Sequence, residues 1–367
     1  MKKTIRIIAA LLIFVMIAGV LASCDKKEEP SPAPAANAGS ESQAAPTVVN
    51  TGLPGGKDIY KDPIKISVIS ISTAGIVNRM YQMALHDQAI NYPNIFLDFK
   101  DAEYDPSKQI TLIEEAITQG YDCILLECMD PVGVNNAIER AEAAGIPVIS
   151  TNSAPPSALH SLYVTGVDYS AGWKAGEELA KISGGEGTAI ILDCPAEAKP
   201  GARMGTGFQE YIEQNTNIKL LELIPTENWS ADNSQNAMRD MLTKYGPGEI
   251  TMVYCSSGDI ANGALNAIDA AGRTGEMLVW GFMGYPMELN AIKEGKMTGT
   301  MFSDTYTQYS AIFYIALNYI QIGLTSVTAG YTETPVIESP MFPVTKDNVD
   351  EIMAFSGWYM TAEMNAS

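Results

Sequence analysis

From Ile64 onward, apolar runs of strand length alternate with amphipathic runs of helical length, and this alternation constrains the chain more than any single motif. Strands are expected over 64–71, 95–99, 123–127 and 147–150, and helices over 77–91, 107–119 and 132–144. The joints carry Pro93, Asp105-Pro106, Gly120, Asp130-Pro131 and Gly145, residues that end one element and start the next. Strands that are apolar throughout, such as Ile124-Leu125-Leu126, suit a parallel sheet covered on both faces. The pattern then restarts. A short run at 163–165 leads to helices expected over 171–182, 202–214, 231–245, 260–271 and 287–293. Between them lie strands over 188–192, 218–224, 250–254 and 277–281. An extended stretch at 297–302 precedes a long helix at 306–322. Consecutive βαβ units in two tandem blocks predict two doubly wound α/β lobes. In such sheets ligands bind beyond the C-terminal strand ends, so facing lobes make a cleft at their junction.

The first residues do not join this pattern. Lys2, Lys3 and Arg6 precede an uncharged apolar stretch over 7–22, the layout of a secretory signal. It ends Leu21-Ala22-Ser23-Cys24, which resembles the bacterial lipobox. That resemblance implies a diacylglycerol on the Cys24 sulfur and cleavage before Cys24, taking the formal charge from −20 to −23 as the three basic residues leave. Residues 25–57 are rich in Pro, Ala, Ser, Gly and Glu and cannot bury a core. A flexible tether of that length reaches roughly 30 Å at about 5.5 Å × √n.

The expected division is a signal peptide over 1–23 and a lipid-anchored tether over 24–57. An N-terminal lobe is expected from 58–164 plus 304–340, and a C-terminal lobe from 165–303 plus 341–367. The chain would cross between lobes three times, near 164–166, 302–304 and 339–342, joining them by a three-strand hinge. The long helix at 306–322 would then belong to the first lobe.

The chemistry on offer is narrow. A formal charge of −20 over 367 residues repels phosphate backbones, so nucleic acid is excluded as a partner. Apolar residues at 46% against 18% charged exclude disorder over most of the length. Neither GxxxxGK[ST], nor GxGxxG after a strand, nor GxSxG occurs. The two histidines, His86 in a helical stretch and His160 in a loop, lack a neighbouring nucleophile motif and read as surface or boundary residues. No metal site and no cofactor are implied. Cys123, Cys128, Cys194 and Cys255 contain no CxxC and read as free buried thiols. A Cys194–Cys255 disulfide stays open, because a 2-1-3 strand order would make their strands neighbours.

What recurs is a set of polar and aromatic residues at strand ends: Ser72, Thr73, Cys128, Asn152 and Ser153 in the first block. In the second they are Arg203, Trp229, Ser257, Asp259, Phe282 and Met283. Aromatic faces pack on apolar ligand faces while short polar groups fix orientation. Helix capping is the structural alternative for several of them, Ser257 and Asp259 above all.

Over roughly residues 60–345 the chain resembles type I periplasmic solute-binding proteins of the ribose-binding kind. The stretches that carry the resemblance are 64–72, 120–126, 144–149, Gly207-Phe208, 236–242, 262–265 and Gly281-Phe282. It implies that the family's polar cluster after the first strand falls near Ser72 and Thr73, and an aromatic after it near Asn78. The Asp-Arg pair that grips sugar hydroxyls is here Asn152-Ser153. The family arginine falls near Arg203 and the stacking aromatic on Trp229. An Asn before an acidic residue falls on Ser257, the Phe-Asp pair becomes Phe282-Met283, and the hinge Gln falls near Ser303-Asp304. The ligand-binding set expected is therefore Ser72, Thr73, Asn78, Cys128, Asn152, Ser153, Arg203, Trp229, Ser257, Asp259, Phe282, Met283 and Asp304.

The function this implies is a lipid-anchored substrate-binding component of an ABC importer, on the extracytoplasmic face of the cell membrane, with a sugar-like ligand, a separate ABC permease as partner and no catalytic step. The alternative is a receptor presenting its ligand to a sensor kinase or chemoreceptor. An extracellular enzyme lacks motifs here, and a regulator of related fold would need a helix-turn-helix where the lipobox-like segment stands.

Overall fold

The computed structural model describes residues 56–73, 76–130, 132–152, 158–166, 168–194 and 202–356, without the side chains of Ile76, Ala202 and Arg203. Cys24 and Ser153 lie outside the described residues.

Among the described residues two six-stranded sheets form, each wrapped by helices. The first has the order β11-β5-β4-β3-β1-β2, all parallel. Its strands are β1 (Ile64–Ser70), β2 (Ile95–Asp101), β3 (Cys123–Leu126), β4 (Val148–Thr151), β5 (Leu162–Gly166) and β11 (Val336–Ser339). The second has the order β12-β10-β9-β8-β6-β7, parallel except for β12. Its strands are β6 (Thr188–Asp193), β7 (Lys219–Pro225), β8 (Met252–Cys255), β9 (Leu278–Met283), β10 (Gly299–Ser303) and β12 (Met341–Thr345). Each sheet is a doubly wound α/β lobe, the predicted fold class.

The helices are α1 (Ile76–Ala89), α2 (Pro106–Thr118), α3 (Asn135–Ala143), α4 (Asp168–Ser183), α5 (Ala202–Asn215), α6 (Ala231–Lys244), α7 (Gly258–Ala270), α8 (Pro286–Lys293), α9 (Thr305–Ile322) and α10 (Ser326–Ala329). Local chemistry sets their ends. The Asp105 carboxylate accepts from the Ser107 and Lys108 amides at the start of α2, with Pro106 in the first turn. Asp304 caps α9, and Gly323 closes it at φ 72°.

Alternate residues of the central strands face opposite layers, and both sets are apolar. In the first lobe Ile66, Val68, Cys123 and Leu125 pack with Met80, Leu85, Phe313 and Leu317, while Ile69, Ile124, Leu126 and Val148 pack with Ile113, Ala116 and Ile138. In the second, Ile190, Leu192 and Val253 meet Met238, Ile260 and Ala264, while Ile191, Tyr254 and Trp280 meet Leu179, Phe208 and Ile212. Two-sided burial is why these strands are uninterrupted apolar runs.

The chain passes between the sheets after β5, after β10 and between β11 and β12. Strand β5 stays in the first sheet through Gly166, two residues beyond the expected boundary. Helix α9 lies on α1: the Tyr309 and Tyr81 rings are 4.2 Å apart, and the Tyr306 hydroxyl donates to Asp87 at 2.7 Å. Lys57, assigned to the tether, joins the fold through a 2.6 Å ion pair with Asp122.

Strands β11 and β12 had no counterpart among the predicted strands. Both are edge strands with largely exposed or half-buried residues, and β12 carries Pro343, so neither shows a continuous apolar run. The four described cysteines are buried thiols outside any disulfide although β6 and β8 are neighbours, so the disulfide alternative is set aside. His86 is exposed, as expected. His160 is not the surface residue expected: it is fully buried, 2.6 Å from Ser150 Oγ, with Nδ1 2.9 Å from the Ala158 carbonyl.

Candidate functional site

The C-terminal ends of the two sheets enclose a cavity of about 200 Å³ between the lobes. That is below the roughly 300–1,000 Å³ of pockets for drug-sized ligands, so it suits one small molecule.

The first lobe contributes Asn78 from the first turns of α1, Tyr104 after β2, Glu127, Cys128 and Met129 after β3, Asn152 after β4, and Gln308 from α9. Asn152 adopts φ 59°, an αL conformation for which Asn is well suited. Its Nδ2 donates to Glu127 Oε1 at 3.2 Å and to the Tyr309 hydroxyl at 2.9 Å, which spends both amide hydrogens. Glu127 Oε2 accepts from the Ile71 amide at 3.3 Å. Burial pushes the Glu127 carboxyl above its ordinary range, and the bonds from Asn152 and Ile71 pull against it. Burial likewise pushes the Cys128 thiol up to about 12, so it is no nucleophile.

The second lobe contributes Asp168, Met204, Trp229, Ser256, Ser257, Asp259, Phe282, Met283, Tyr285, Ser303 and Met341. Trp229 ends a 3₁₀ turn, Glu227–Trp229, in which Asn228 and Trp229 sit at φ 55° and 48°. Positive φ is uncommon for a bulky side chain and strained, and here it presents the indole to the cavity. The start of α5 is held close by two glycines. A Cβ on Gly172 of α4 would lie 1.9 Å from the Met204 carbonyl oxygen, and one on Gly207 would lie 2.2 Å from that of Tyr169. Without side chains at these points the helices approach closely enough to carry Met204 to the cavity wall.

Ser257 caps α7, accepting from the Ile260 amide at 3.2 Å, and still faces the cavity. Burial pushes the Asp259 carboxyl up, opposed by the Arg79 guanidinium from the facing lobe. Behind the wall Glu288 accepts from the Tyr285 amide and the Thr300 hydroxyl, and burial pushes its carboxyl up to about 8.

Of the residues expected from sequence, Asn78, Cys128, Asn152, Trp229, Ser257, Asp259, Phe282 and Met283 share this cavity. Three others are placed elsewhere. The Ser72 hydroxyl bonds Tyr104, and Thr73 is engaged by Asp101 through its amide at 3.1 Å and its hydroxyl at 2.5 Å. Asp304 accepts from the Thr307 amide as the cap of α9. Arg203 lies in the first turn of α5, beside the cavity residue Met204.

Sequence reasoning passed over Glu127, Asp168, Tyr104 and Gln308. A signal for Glu127 existed: a lone acid closing the otherwise apolar run 123–127 is costly to bury without a purpose. Gln308 carried none, since it sits in a long amphipathic helix remote in sequence from the other cavity residues. Among the described residues no group of three or more potential metal ligands occurs.

Residues 79–324 match the family described as periplasmic binding protein domain. A xylitol-binding protein of Mycolicibacterium smegmatis is 30% identical over 260 residues, spanning 70% of each chain. The ribose import binding protein of Salmonella typhimurium is 24% identical, covering 66% of this chain and 79% of its own. In fold, the chain is similar to an ABC transporter solute-binding protein from Bacillus halodurans solved with bound myo-inositol. There the TM-score is 0.72 at 23% identity, covering 80% of this chain and 98% of that one. The relatives are substrate-binding proteins, not enzymes. With two parallel α/β lobes around one cleft and a family match over more than half its length, this chain belongs to the periplasmic binding protein family.

Proposed function

We propose that this chain is the lipid-anchored, extracytoplasmic solute-binding component of an ABC importer, and that it takes a sugar or sugar-like polyol between its lobes. The observation that carries the ligand class is the makeup of the cavity wall. Trp229, Phe282 and Tyr285 supply apolar faces, while Asn78, Glu127, Gln308 and Asp259 supply hydrogen-bonding groups from both lobes. Aromatic faces suit the C–H faces of a sugar and the polar groups suit its hydroxyls. Ligand held by one lobe gains contacts when the other closes, so binding favours the closed form. A permease that recognises the closed form then meets only loaded protein. The names of the relatives, xylitol-binding and ribose import binding, agree with this class.

A thermal-shift screen of neutral sugars and polyols, xylitol, ribose and myo-inositol among them, tests the reading. A ligand at 100 times its Kd adds about 2.7 kcal/mol to stability, readily seen as a raised Tm. No shift across the panel would count against a sugar or polyol ligand.

The anchor rests on the segment ending Leu21-Ala22-Ser23-Cys24. Cys24→Ala is expected to release the protein from the membrane fraction or to leave the precursor uncleaved. Normal cleavage with unchanged membrane attachment in that variant removes the lipid anchor.

A further inference from the structure

The charged side chains that line the cavity among the described residues are all acidic. Three carboxylates face it: Glu127 from the first lobe, and Asp168 and Asp259 from the second. Among the described residues that line it there is no Lys, Arg or His. Arg79, one position after Asn78 in α1, acts on Asp259. Among the described residues no basic side chain acts on Glu127 in this way. What bears on its ionisation is burial, opposed by the Asn152 side chain and the Ile71 amide, both neutral donors at 3.2 and 3.3 Å. Two long bonds leave much of the acceptor capacity of a carboxylate unused, and a buried carboxylate left so is costly.

The neighbouring amides deepen the imbalance. Asn152 has given both its amide hydrogens to Glu127 and Tyr309. Asn78 is only 7% exposed, and its Oδ1 is buried in the cavity wall with no hydrogen-bond partner among the described residues. The wall of the first lobe thus holds an under-coordinated carboxylate and an unused amide oxygen. Gln308 Nε2, on a residue 8% exposed, is a buried donor in the same wall with no partner among the described residues. A hydroxyl brings one hydrogen and also asks for a donor. A primary ammonium brings three hydrogens, asks for none and supplies the missing charge.

We propose that the ligand is a polyhydroxylated small molecule bearing a protonated amine, with Glu127 and the Asn78 carbonyl oxygen receiving the ammonium and Gln308 donating to a hydroxyl. This rests on the sugar or polyol reading above and narrows its class to amino sugars and amino polyols.

The test is calorimetric titration of the chain with matched pairs that differ by an amine: D-glucamine against D-sorbitol, and D-glucosamine against D-glucose. In the wild type the amine of at least one pair is expected to bind at least about tenfold tighter than its neutral partner. Glu127→Gln, which keeps the shape and removes the charge, is expected to bring the ratio of the two affinities to within about threefold of one, whatever the variant does to binding of the neutral partner itself. Equal or tighter binding of the neutral partner in both pairs overturns the inference in the wild type alone, whether or not the variant folds. A preference that survives Glu127→Gln overturns it as well. Neutral sugars or polyols that bind without any gain from an amine leave the sugar reading standing. Absence of binding by all four compounds and by the neutral panel removes both.

Discussion

Glu142→Ala is expected to cost the ligand-free protein about 3–5 kcal/mol of stability, because it leaves several buried donors without an acceptor. Glu142 lies in the last turn of α3 and is fully buried. Its Oε1 accepts the Val148 and Ser161 amides, both at 2.7 Å. Its Oε2 accepts the Ser326 amide at 2.7 Å and the Ser326 and Ser161 hydroxyls at 2.9 and 3.1 Å. One side chain thereby ties α3 to β4, to the approach to β5, and to α10, whose residues come from a late part of the chain. Alanine strands three buried backbone N–H groups in one place, each worth about 1–3 kcal/mol when unpaired. Glu142→Gln keeps one acceptor oxygen but turns an NH₂ toward donors, so an intermediate loss is expected. Denaturant unfolding of both variants without ligand checks this. A loss within about 0.5 kcal/mol for alanine, the range of ordinary surface substitutions, would show that the network does not hold these segments together.

The second large effect falls on binding. Trp229→Ala is expected to weaken the tightest-binding member of the sugar and polyol panel by ~1–3 kcal/mol, comparable to losing the burial of a large side chain. That corresponds to roughly 5- to 150-fold in Kd. The indole lines the cavity from a turn with two consecutive left-handed residues. It is only partly buried, and it also packs against the core cluster. The substitution therefore has a structural cost too, and Trp229→Phe separates the two. Phenylalanine keeps an aromatic face and is expected to retain most of the affinity. Calorimetry paired with ligand-free melting decides the matter: unchanged affinity with a large loss of apo stability in Trp229→Ala would make it a core residue only.

Strand-and-helix alternation was legible in the chain because its causes are local. The period of apolar residues, the caps Asp105 and Ser257, and breakers such as Gly120 act within a few positions. Two-sided burial of Ile124–Leu126 follows from composition alone, and with it the parallel sheets. So did the neighbourhood of the cavity, since parallel sheets converge their strand ends, which is where Asn78, Cys128, Asn152, Phe282 and Met283 stand. Edge strands β11 and β12 escaped because one-sided exposure and Pro343 dilute the pattern.

Only the tertiary structure decided which strand-end groups remain available and which are spent. Ser72 and Thr73 read like Asn78 in the sequence, yet their hydroxyls go to Tyr104 and Asp101, while the Asn78 oxygen is left unpartnered. Ser257 and Asp304 both cap helices, yet only Ser257 also lines the cavity. Glu127 looks like the end of a strand until Asn152 and Ile71 close around it, and Gln308 looks like one helical position among eighteen. His160 looks like a loop residue until Ser150 and Ala158 surround it. In each case the deciding partner belongs to another segment of the chain. Periodicity fixes which face of an element is buried, but a polar side chain's role is set by the donors and acceptors that distant segments bring to it, and those meet only when the lobes are assembled.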